Sequence, residues 1–512
     1  MQDPFFSAPT TTRKRKRIGA ASRSQNKTNT AAPKRSRQQQ QQQRNGRKKH
    51  DSDVEENGDD DEGGIDTMNL SGGDSESSEE EIEETAAEKR VRLAKAYLGK
   101  IQEGLDEDLG GFDAADLDRD LIAERLKKDE DELEGRLHRR VADTFDYAAI
   151  DENSIQSKKG HQLAVTSVVF SESGSILYTA SKDGSIVKWD MKTFKKLHTF
   201  PGGRKGVKEY VGHTDHILCM AMSSDGEYLA TGGRDRIINV WSVQEDKHII
   251  AFKQHKDTIS GLAFRKGHHQ LYSASWDRTI KLWNVDERAY METLFGHQDQ
   301  IGDIDTLGRE RCVSVGGRDK TARMWKIVDQ SQLVYRGGIS SKEKKENGAP
   351  KFAEGSLDCI AQIDEKMFVT GGDGGVISLW DIGRKKPVYS ISPAHGVNTT
   401  VSESEGEIDT AYWITAIASL RYSDLFVSGS WDGFVRLWKI APDNKSFSQV
   451  GQVAVAGVVN SIEIKTVFPS NRTVIAVGVG QELKSGRWLR LKKGVKNCTK
   501  IIELPELATA KI

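Results

Sequence analysis

The 512-residue sequence predicts an all-β fold built from repeated sheets, preceded by a charged tail and a short helical segment. Three observations lead to this prediction. Residues 1–84 consist of blocks of like charge, residues 85–148 place apolar side chains at helical spacing, and short β-branched runs separated by Gly, Asp and Ser turns follow. The predicted domains are therefore 1–84, 85–148, 149–505 and a C-terminal tail at 506–512.

The N-terminal tail is two blocks of opposite charge. Residues 1–50 contain fourteen Lys or Arg, whereas residues 51–84 contain sixteen Asp or Glu and no basic residue. Apolar side chains are too few to offset the entropy of ordering, so we expect disorder. One basic cluster is typical of a nuclear import signal, with RNA contact or a solvated tail as alternatives. Its residues are Arg13, Lys14, Arg15, Lys16 and Arg17.

The acidic block carries three candidate phosphorylation sites, Ser75, Ser77 and Ser78, each just ahead of acidic residues. Each phosphate would add about −1.5 to −2 charge and strengthen contact with a basic partner. A solubilising acidic tail without modification explains the same composition. Beyond this block, two amphipathic helices are predicted in 85–148, and they could pack on the rest of the chain or on a partner.

Bulk composition restricts the class of protein. The four cysteines, Cys219, Cys312, Cys359 and Cys498, show no ligand spacing, which favours a reducing compartment over a zinc site or a disulfide framework. No apolar run approaches the ~18 residues of a membrane span. We therefore expect an intracellular protein with no membrane partner, no metal and no cofactor.

A repeat with fixed spacing dominates residues 150–505. Four times a His precedes a Trp by 28 residues, with an Asp six residues before the Trp. These sets are His161, Asp183, Trp189; His213, Asp235, Trp241; His255, Asp277, Trp283; and His297, Asp319, Trp325. Two looser copies, Asp373 with Trp380 and Asp432 with Trp438, follow, and a seventh ends at Trp488 without an Asp.

This repeat resembles the WD-repeat family, whose units each form one four-stranded blade of a β-propeller. Seven closing Trp positions then imply seven blades. The resemblance also implies that His, a strand hydroxyl, Asp and Trp hydrogen-bond in series; in the third repeat Ser275 is the candidate hydroxyl. Because the set recurs, it is a structural network and not a catalytic triad. We also expect residues 499–504 to supply the last strand of blade seven, without exchange of an N-terminal strand.

Departures from the repeat are the candidate functional sites. Insertions occur at 201–211, 340–352 and 397–410, and residues 484–500 hold seven Lys or Arg around Trp488. Basic residues interleaved with an aromatic could contact a nucleic-acid backbone, although a solvated outer strand reads the same way. The RNA-binding candidates are Arg204, Lys205, Lys208, Arg234, Arg318, Lys320, Lys484, Arg487, Arg490, Lys492 and Lys493.

Three longer segments indicate one branch of the WD-repeat family. Residues 296–327, 412–420 and 474–491, the last containing "GVGQELKSGRW", are similar to the branch of the family found in the U3 small nucleolar ribonucleoprotein. That resemblance implies a non-enzymatic nucleolar subunit that binds the box B/C region of U3 RNA. Its implied partners are the small kink-turn-binding protein of the particle and other proteins of the small-subunit processome.

Two other functional classes stay open. A substrate receptor of a cullin-type ubiquitin ligase would carry Trp-Asp-x-Arg at repeat ends, and the ends here do not match. A reader of histone peptides would use an acidic or aromatic channel mouth, which the basic candidates disfavour. The sequence lacks a P-loop, a GxSxG elbow and an HExxH motif, so we expect no enzyme and no small-molecule substrate.

Overall fold

The computed structural model describes residues 127, 130–131, 138–150, 155–204, 210–337, 355–402, 406–467, 472–492 and 494–507. The import cluster at 13–17 and the candidate phosphorylation sites Ser75, Ser77 and Ser78 lie outside these ranges. Of the second predicted helix, Lys127, Glu130 and Asp131 are described, and all three are helical. The rest of the predicted helical stretch before residue 138 also lies outside them.

Seven four-stranded antiparallel sheets form a closed ring, which confirms the predicted seven-bladed propeller. Blades one and two comprise β2 Val165–Phe170, β3 Ile176–Ser181, β4 Ile186–Asp190, β5 Lys196–Phe200, β6 Ile217–Met222, β7 Tyr228–Gly233, β8 Ile238–Ser242 and β9 Lys247–Phe252. Blades three and four comprise β10 Ile259–Phe264, β11 Gln270–Ser275, β12 Thr279–Asn284, β13 Ala289–Phe295, β14 Ile301–Thr306, β15 Arg311–Gly316, β16 Thr321–Lys326 and β17 Ser331–Arg336.

The remaining blades keep this order with two additions. Blades five and six comprise β18 Leu357–Gln362, β19 Met367–Gly372, β20 Ile377–Asp381, β21 Tyr389–Ile391, β24 Ala416–Ser419, β25 Leu425–Gly429, β26 Phe434–Ile440 and β27 Phe447–Ala454. Between them the 397–410 insertion folds into a separate hairpin, β22 Val397–Ser402 and β23 Gly406–Ala411. Blade seven comprises β28 Val458–Val467, β29 Arg472–Gly480, β30 Cys498–Leu504 and β1 Gln156–Lys158.

Ring closure differs from the prediction. Residues 499–504 belong to β30, which is the third strand of blade seven and not its last. The outer strand is β1, which pairs antiparallel with β30 through Gln156 opposite Ile501 and Lys158 opposite Thr499. The exchange of an N-terminal strand is therefore present. The sequence prediction was wrong because the three-residue β1 is too short to show a strand pattern.

Side chains beside the inner strands connect each blade to the next. Near the start of the inner strand, a hydroxyl, thiol or amide donates to a backbone carbonyl of the next blade, and all of these donors except Thr415 lie at or just after a β-bulge. The donors are Thr166, Cys219, Ser260, Cys359, Thr415 and Asn460. The last, from Asn460 Nδ2 to the Val165 carbonyl at 2.9 Å, joins blade seven to blade one. Blade four has Gly302 at this place. There a Cβ would lie 3.0 Å from the Leu357 and Asp358 carbonyl oxygens of blade five.

The segment before β1 packs on blades six and seven. It contains two 3₁₀ helices, Ala142–Thr144 and Tyr147–Ala149. Asp424 Oδ1 accepts the backbone N–H groups of Val141 at 2.8 Å and Ala142 at 2.9 Å. Ala142 and Phe145 are buried in the core shared by these two blades. This part of the N-terminal region therefore docks on the propeller.

The direction of the strands defines two faces. Within a blade, the turns after the first and third strands lie at one end of the sheet. The turns after the second strand and the links to the next blade lie at the other end. We call this second end the link face. It carries the described parts of the 201–211 and 397–410 insertions and the long loop 481–497 between β29 and β30, whereas the 340–352 insertion lies outside the described residues.

Candidate nucleic-acid interface

The repeated polar residues of the blades form a buried network. In blade four, His297 Nδ1 lies 2.8 Å from Asp319 Oδ2 and His297 Nε2 lies 2.8 Å from Ser314 Oγ. The Trp325 indole N–H donates to the same Ser314 Oγ at 2.8 Å. One hydroxyl thus joins the imidazole to the indole. The network connects the link from blade three, the second strand and the third strand of blade four.

Protonation in this network follows from burial. Burial lowers the pKa of His297 in spite of the Asp319 carboxylate, so the ring is neutral at pH 7. Its Nδ1–H then donates to Asp319, and Nε2 accepts from Ser314. Burial opposes ionisation of Asp319. Hydrogen bonds from His297 and Thr321 outweigh it and lower the Asp319 pKa to about 2.

The hydroxyl in blade three is Ser273 and not the predicted Ser275. Ser273 Oγ lies 2.8 Å from both His255 Nε2 and Trp283 Nε1. Ser275 instead donates to the Asp257 carbonyl and accepts the Asp277 N–H. Its hydroxyl therefore stabilises the turn at Asp277. Residues two apart share one face of a strand, so the sequence alone favoured the serine nearer to the Asp.

Five other blades place a hydroxyl at the same register, giving Thr179, Thr231, Ser273, Ser314, Thr370 and Ser428. All six residues have no exposed surface. In blade one His161 bonds to Ser185 and Thr179, and its Nδ1 lies 3.6 Å from Asp183. Because these hydroxyls are sealed from solvent, they are structural groups and cannot act as nucleophiles on a substrate.

Sequence reasoning missed His395 of blade six. Its Nδ1 lies 2.8 Å from Asp432 and its Nε2 lies 2.8 Å from Ser428, which also accepts the Trp438 indole N–H. The β22–β23 hairpin separates His395 from its Asp by 37 residues and hides the spacing. Blade five has no His in this network, and Asp373 accepts the backbone N–H of Ser356 at 2.6 Å.

Trp488 was predicted to close blade seven, and the structure contradicts this. Its side chain is 63% exposed in the loop 481–497. Strand pairing places Ile502 opposite Ile475, at the register where Trp283 faces Leu271 in blade three. Val477 then occupies the position of the network hydroxyl. Val477 and Ile502 are both fully buried, so blade seven replaces the polar network with apolar packing.

The described RNA-binding candidates all lie on the link face. Arg204 precedes β6, Arg234, Arg318 and Lys320 lie in turns after second strands, and Lys484, Arg487, Arg490 and Lys492 lie in the 481–497 loop. All except the partly buried Lys484 are exposed. Lys205, Lys208 and Lys493 lie outside the described residues. The stretch 484–500, for which a solvated outer strand was the alternative, is a loop in its described part before β30 begins at Cys498, with an isolated bridge between Glu482 and Arg490.

A cationic cluster surrounds Glu482 on this face. Lys182 Nζ lies 3.4 Å from the Glu482 carboxylate, and Arg487 Nε and Arg490 Nε lie 3.2 and 3.6 Å from it. Burial lowers the pKa of Lys182. The charges of Arg487 and Arg234 lower it further, against the effect of Glu482. The Glu482 carboxylate therefore faces three cations, and the surplus positive charge suits a phosphate. Sequence reasoning missed Lys182, although it occupies the position directly before the blade Asp that Arg234 and Arg318 occupy in blades two and four.

Lys484 has a different environment from the arginines. Burial raises the pKa of both Asp303 and Asp358 to about 6, and the Lys484 ammonium opposes this rise. The Lys484 charge therefore acts on acidic groups of the inner strands of blades four and five. Because these acidic groups offset part of the Lys484 charge, Lys484 is a weaker phosphate contact than Arg487 or Arg490.

Away from the link face, one cluster has the composition of a cation site. Ligand atoms of Asp225, Glu227 and His269 lie within 4.8 Å of one another. His269 Nε2 contacts Asp225, and Nδ1 lies 2.7 Å from Asp286. The hydrogen bond with Asp225 raises the His269 pKa to about 9, burial opposing. Both nitrogens therefore carry protons at pH 7, and this protonated ring offers no lone pair to a metal.

The blade network, the ring and the link-face loops define the class: a WD-repeat β-propeller. The family model "WD domain, G-beta repeat" matches residues 152–190, 204–242, 246–284, 289–326 and 403–439. These matches include the regions of blades one to four and six, which carry the complete His–Asp–Trp set. The unmatched blades five and seven are those in which the network is altered.

Comparison with similar proteins identifies a more specific family among the WD-repeat proteins. The chain is 42% identical over 431 residues to mouse U3 small nucleolar RNA-interacting protein 2, covering 84% of each chain. Ribosomal RNA-processing protein 9 of Saccharomyces cerevisiae is 31% identical over 83% of this chain and 90% of its own. The solved structure of U3-55K superposes with a TM-score of 0.62 at 39% identity, covering 70% of this chain and all of that chain. The chain belongs to the family of the U3 small nucleolar RNA-interacting protein 2.

Among the described residues, no helix is long and apolar enough to cross a membrane.

Proposed function

We propose that this chain is a non-catalytic RNA- and protein-binding subunit of the U3 small nucleolar ribonucleoprotein. It binds the box B/C region of U3 RNA and supports pre-ribosomal RNA processing and assembly of the small subunit. The names of the relatives, which describe U3 RNA interaction and ribosomal RNA processing, support this assignment. The cluster of Lys182, Arg487 and Arg490 around Glu482, with the charge of Arg234 acting on Lys182, is the observation on this chain that carries it.

The proposed mechanism is recognition by shape and charge. A folded RNA with a kink-turn presents closely spaced phosphates, and proteins bind such RNAs largely through backbone and 2′-hydroxyl contacts. The link face offers cations from blades one, two, four and seven on a rigid ring. A second partner, the small protein that binds the kink-turn, would occupy the RNA next to the propeller. Other processome proteins remain further proposed partners.

The proposed location is the nucleolus, reached through nuclear import by the Arg13–Arg17 cluster. Phosphorylation of Ser75, Ser77 and Ser78 would increase the negative charge of the acidic block and change its contacts with basic partners. Deleting residues 13–17 from a fluorescently tagged chain tests import. Nuclear exclusion of the deletion variant supports the signal, and unchanged nucleolar fluorescence contradicts it.

The experiment that tests RNA binding is in-cell crosslinking of the tagged protein, followed by sequencing of the attached RNA. Enrichment of U3 RNA at box B/C is expected for the wild type and is lost in Arg487→Glu with Arg490→Glu. The matched control is Arg288→Glu. Arg288 is exposed in the turn between β12 and β13, which lies on the opposite face. Background recovery of RNA by the wild type, or equal losses in both variants, contradicts the proposal.

A further inference from the structure

Trp488 has a conformation that the propeller itself does not require. Blade seven is closed by Ile502, and the indole of Trp488 is 63% exposed on the link face. Single exposed apolar residues are common on protein surfaces. This one differs because the surrounding loop fixes its ring.

Two neighbours hold the Trp488 ring in place. Gly486 packs directly against it, since a Cβ at Gly486 would lie 1.7 Å from ring atom Cζ3. The ring of Trp413, from the link before β24, lies with its centroid 6.5 Å away at 49°. Lys182 Nζ donates to the Gly486 carbonyl at 3.1 Å and ties this loop to blade one. One side of the indole is thus supported by protein, and its outer side faces solvent.

Two cationic side chains lie beside the Trp488 indole. Arg487 immediately precedes Trp488 in the chain, and Arg490 follows two residues later. Glu482 contacts the Nε atoms of both arginines, which limits the orientations that their guanidinium groups can adopt. An exposed aromatic plane flanked by oriented guanidinium groups matches one nucleotide, which has a flat base and an adjacent phosphate.

We propose that Trp488 stacks against one unpaired base of a bound RNA while Arg487 and Arg490 contact the adjacent phosphates. This inference rests on the proposed RNA-binding function and adds an unpaired nucleotide to it. A protein partner is the less favoured occupant, because an apolar peptide surface would bury the indole but leave the surplus charge around Glu482 without a counter-ion.

The test uses the full chain and two probes: a U3 RNA fragment carrying box B/C, and a fully paired RNA duplex of equal length. Trp488→Phe keeps an aromatic plane and is expected to bind the fragment within about threefold of the wild type. Trp488→Leu is expected to lose about 5- to 150-fold, the range for one stacked base. The slope of log K against log salt is expected to stay unchanged, since no phosphate contact is removed.

Two further variants separate stacking from other effects. Gly486→Ala displaces the indole without changing charge and is expected to weaken binding as Trp488→Leu does. Phe295→Leu changes another exposed aromatic, at 71% exposure, and is expected to bind as the wild type. The duplex probe is expected to bind all variants equally, because it offers no unpaired base.

The outcomes distinguish the two proposals. If the wild type shows no salt-dependent binding to the fragment, the proposed RNA function fails. If the wild type binds and Trp488→Leu binds equally, the stacking site fails and the RNA function stands. Equal losses in Trp488→Phe and Trp488→Leu, or a loss shared by the duplex, also overturn the stacking site. Normal RNA binding by Trp488→Leu with loss of a particle protein assigns the indole to a protein contact instead.

Discussion

Replacing Ser273 with alanine removes the shared hydroxyl of the blade-three network. The Trp283 indole N–H and His255 Nε2 each lie 2.8 Å from this oxygen, and both residues are at most 6% exposed. A buried polar group left without a partner costs about 1–3 kcal/mol. Two such groups, relaxing partly together, are expected to lower the free energy of unfolding by about 2–4 kcal/mol.

Two matched variants make this prediction specific. Ser273→Thr keeps the hydroxyl and copies blades one and two, where Thr179 and Thr231 occupy the position, so a change below about 1 kcal/mol is expected. Ser275→Ala removes a hydroxyl two residues away, which makes two contacts of 3.1 Å at a turn, and is expected to cost about 1 kcal/mol. Urea denaturation of the full chain, followed by tryptophan fluorescence, measures all three. A larger loss for Ser275→Ala than for Ser273→Ala would refute the assignment of the hydroxyl.

Three further predictions concern titration and docking. His269→Ala is expected to lower Tm at pH 6.5 but not at pH 10. The salt bridge with Asp225 raises the His269 pKa to about 9, so its stabilisation is complete below pH 6.5 and is lost as pH rises through 9. Glu463→Gln is expected to raise Tm at pH 8.5 and leave it unchanged at pH 4, because burial raises the Glu463 pKa to about 7 and only the ionised form is penalised. Asp424→Ala is expected to release the segment around Ala142, which faster proteolysis there would show; equal cleavage rates would contradict this.

Regular spacing made much of the fold predictable. The His-to-Trp distance of 28 residues depends only on strand and turn lengths, so four complete blades could be located from the sequence. His395 escaped because a hairpin of its own interrupts the same spacing. The prediction for Trp488 was wrong because seven blades were expected to have seven closing Trp residues. In blade seven Ile502 occupies the position of the closing Trp. Apolar replacements such as Val477 carry no motif, and only strand register identifies them.

The candidate interface was predictable in composition but not in arrangement. Arg487 and Arg490 stood out as basic residues next to a tryptophan. Their common contact with Glu482 depends on a loop conformation, and the contribution of Lys182 comes from blade one, about 300 residues earlier in the chain. Such contacts between distant segments arise only when the ring closes. The sequence therefore predicted that this loop is positively charged, but it did not predict which cations contact Glu482.

The pairing of β1 with β30 determines when the ring can close during synthesis of the chain. The outer strand of blade seven leaves the ribosome first, yet the strand that it pairs with begins at Cys498, some 340 residues later. At ~5–20 residues per second, the early strand waits for roughly 20 to 70 s. Six blades can form during that interval, but the ring cannot close until Cys498–Leu504 has been synthesised. A truncated chain that ends before Cys498 lacks β30. The backbone N–H and C=O groups of β1 and β29 that pair with β30 are then without hydrogen-bond partners. Such a product carries an open β-edge, which chaperones and proteases can recognise before it joins any particle.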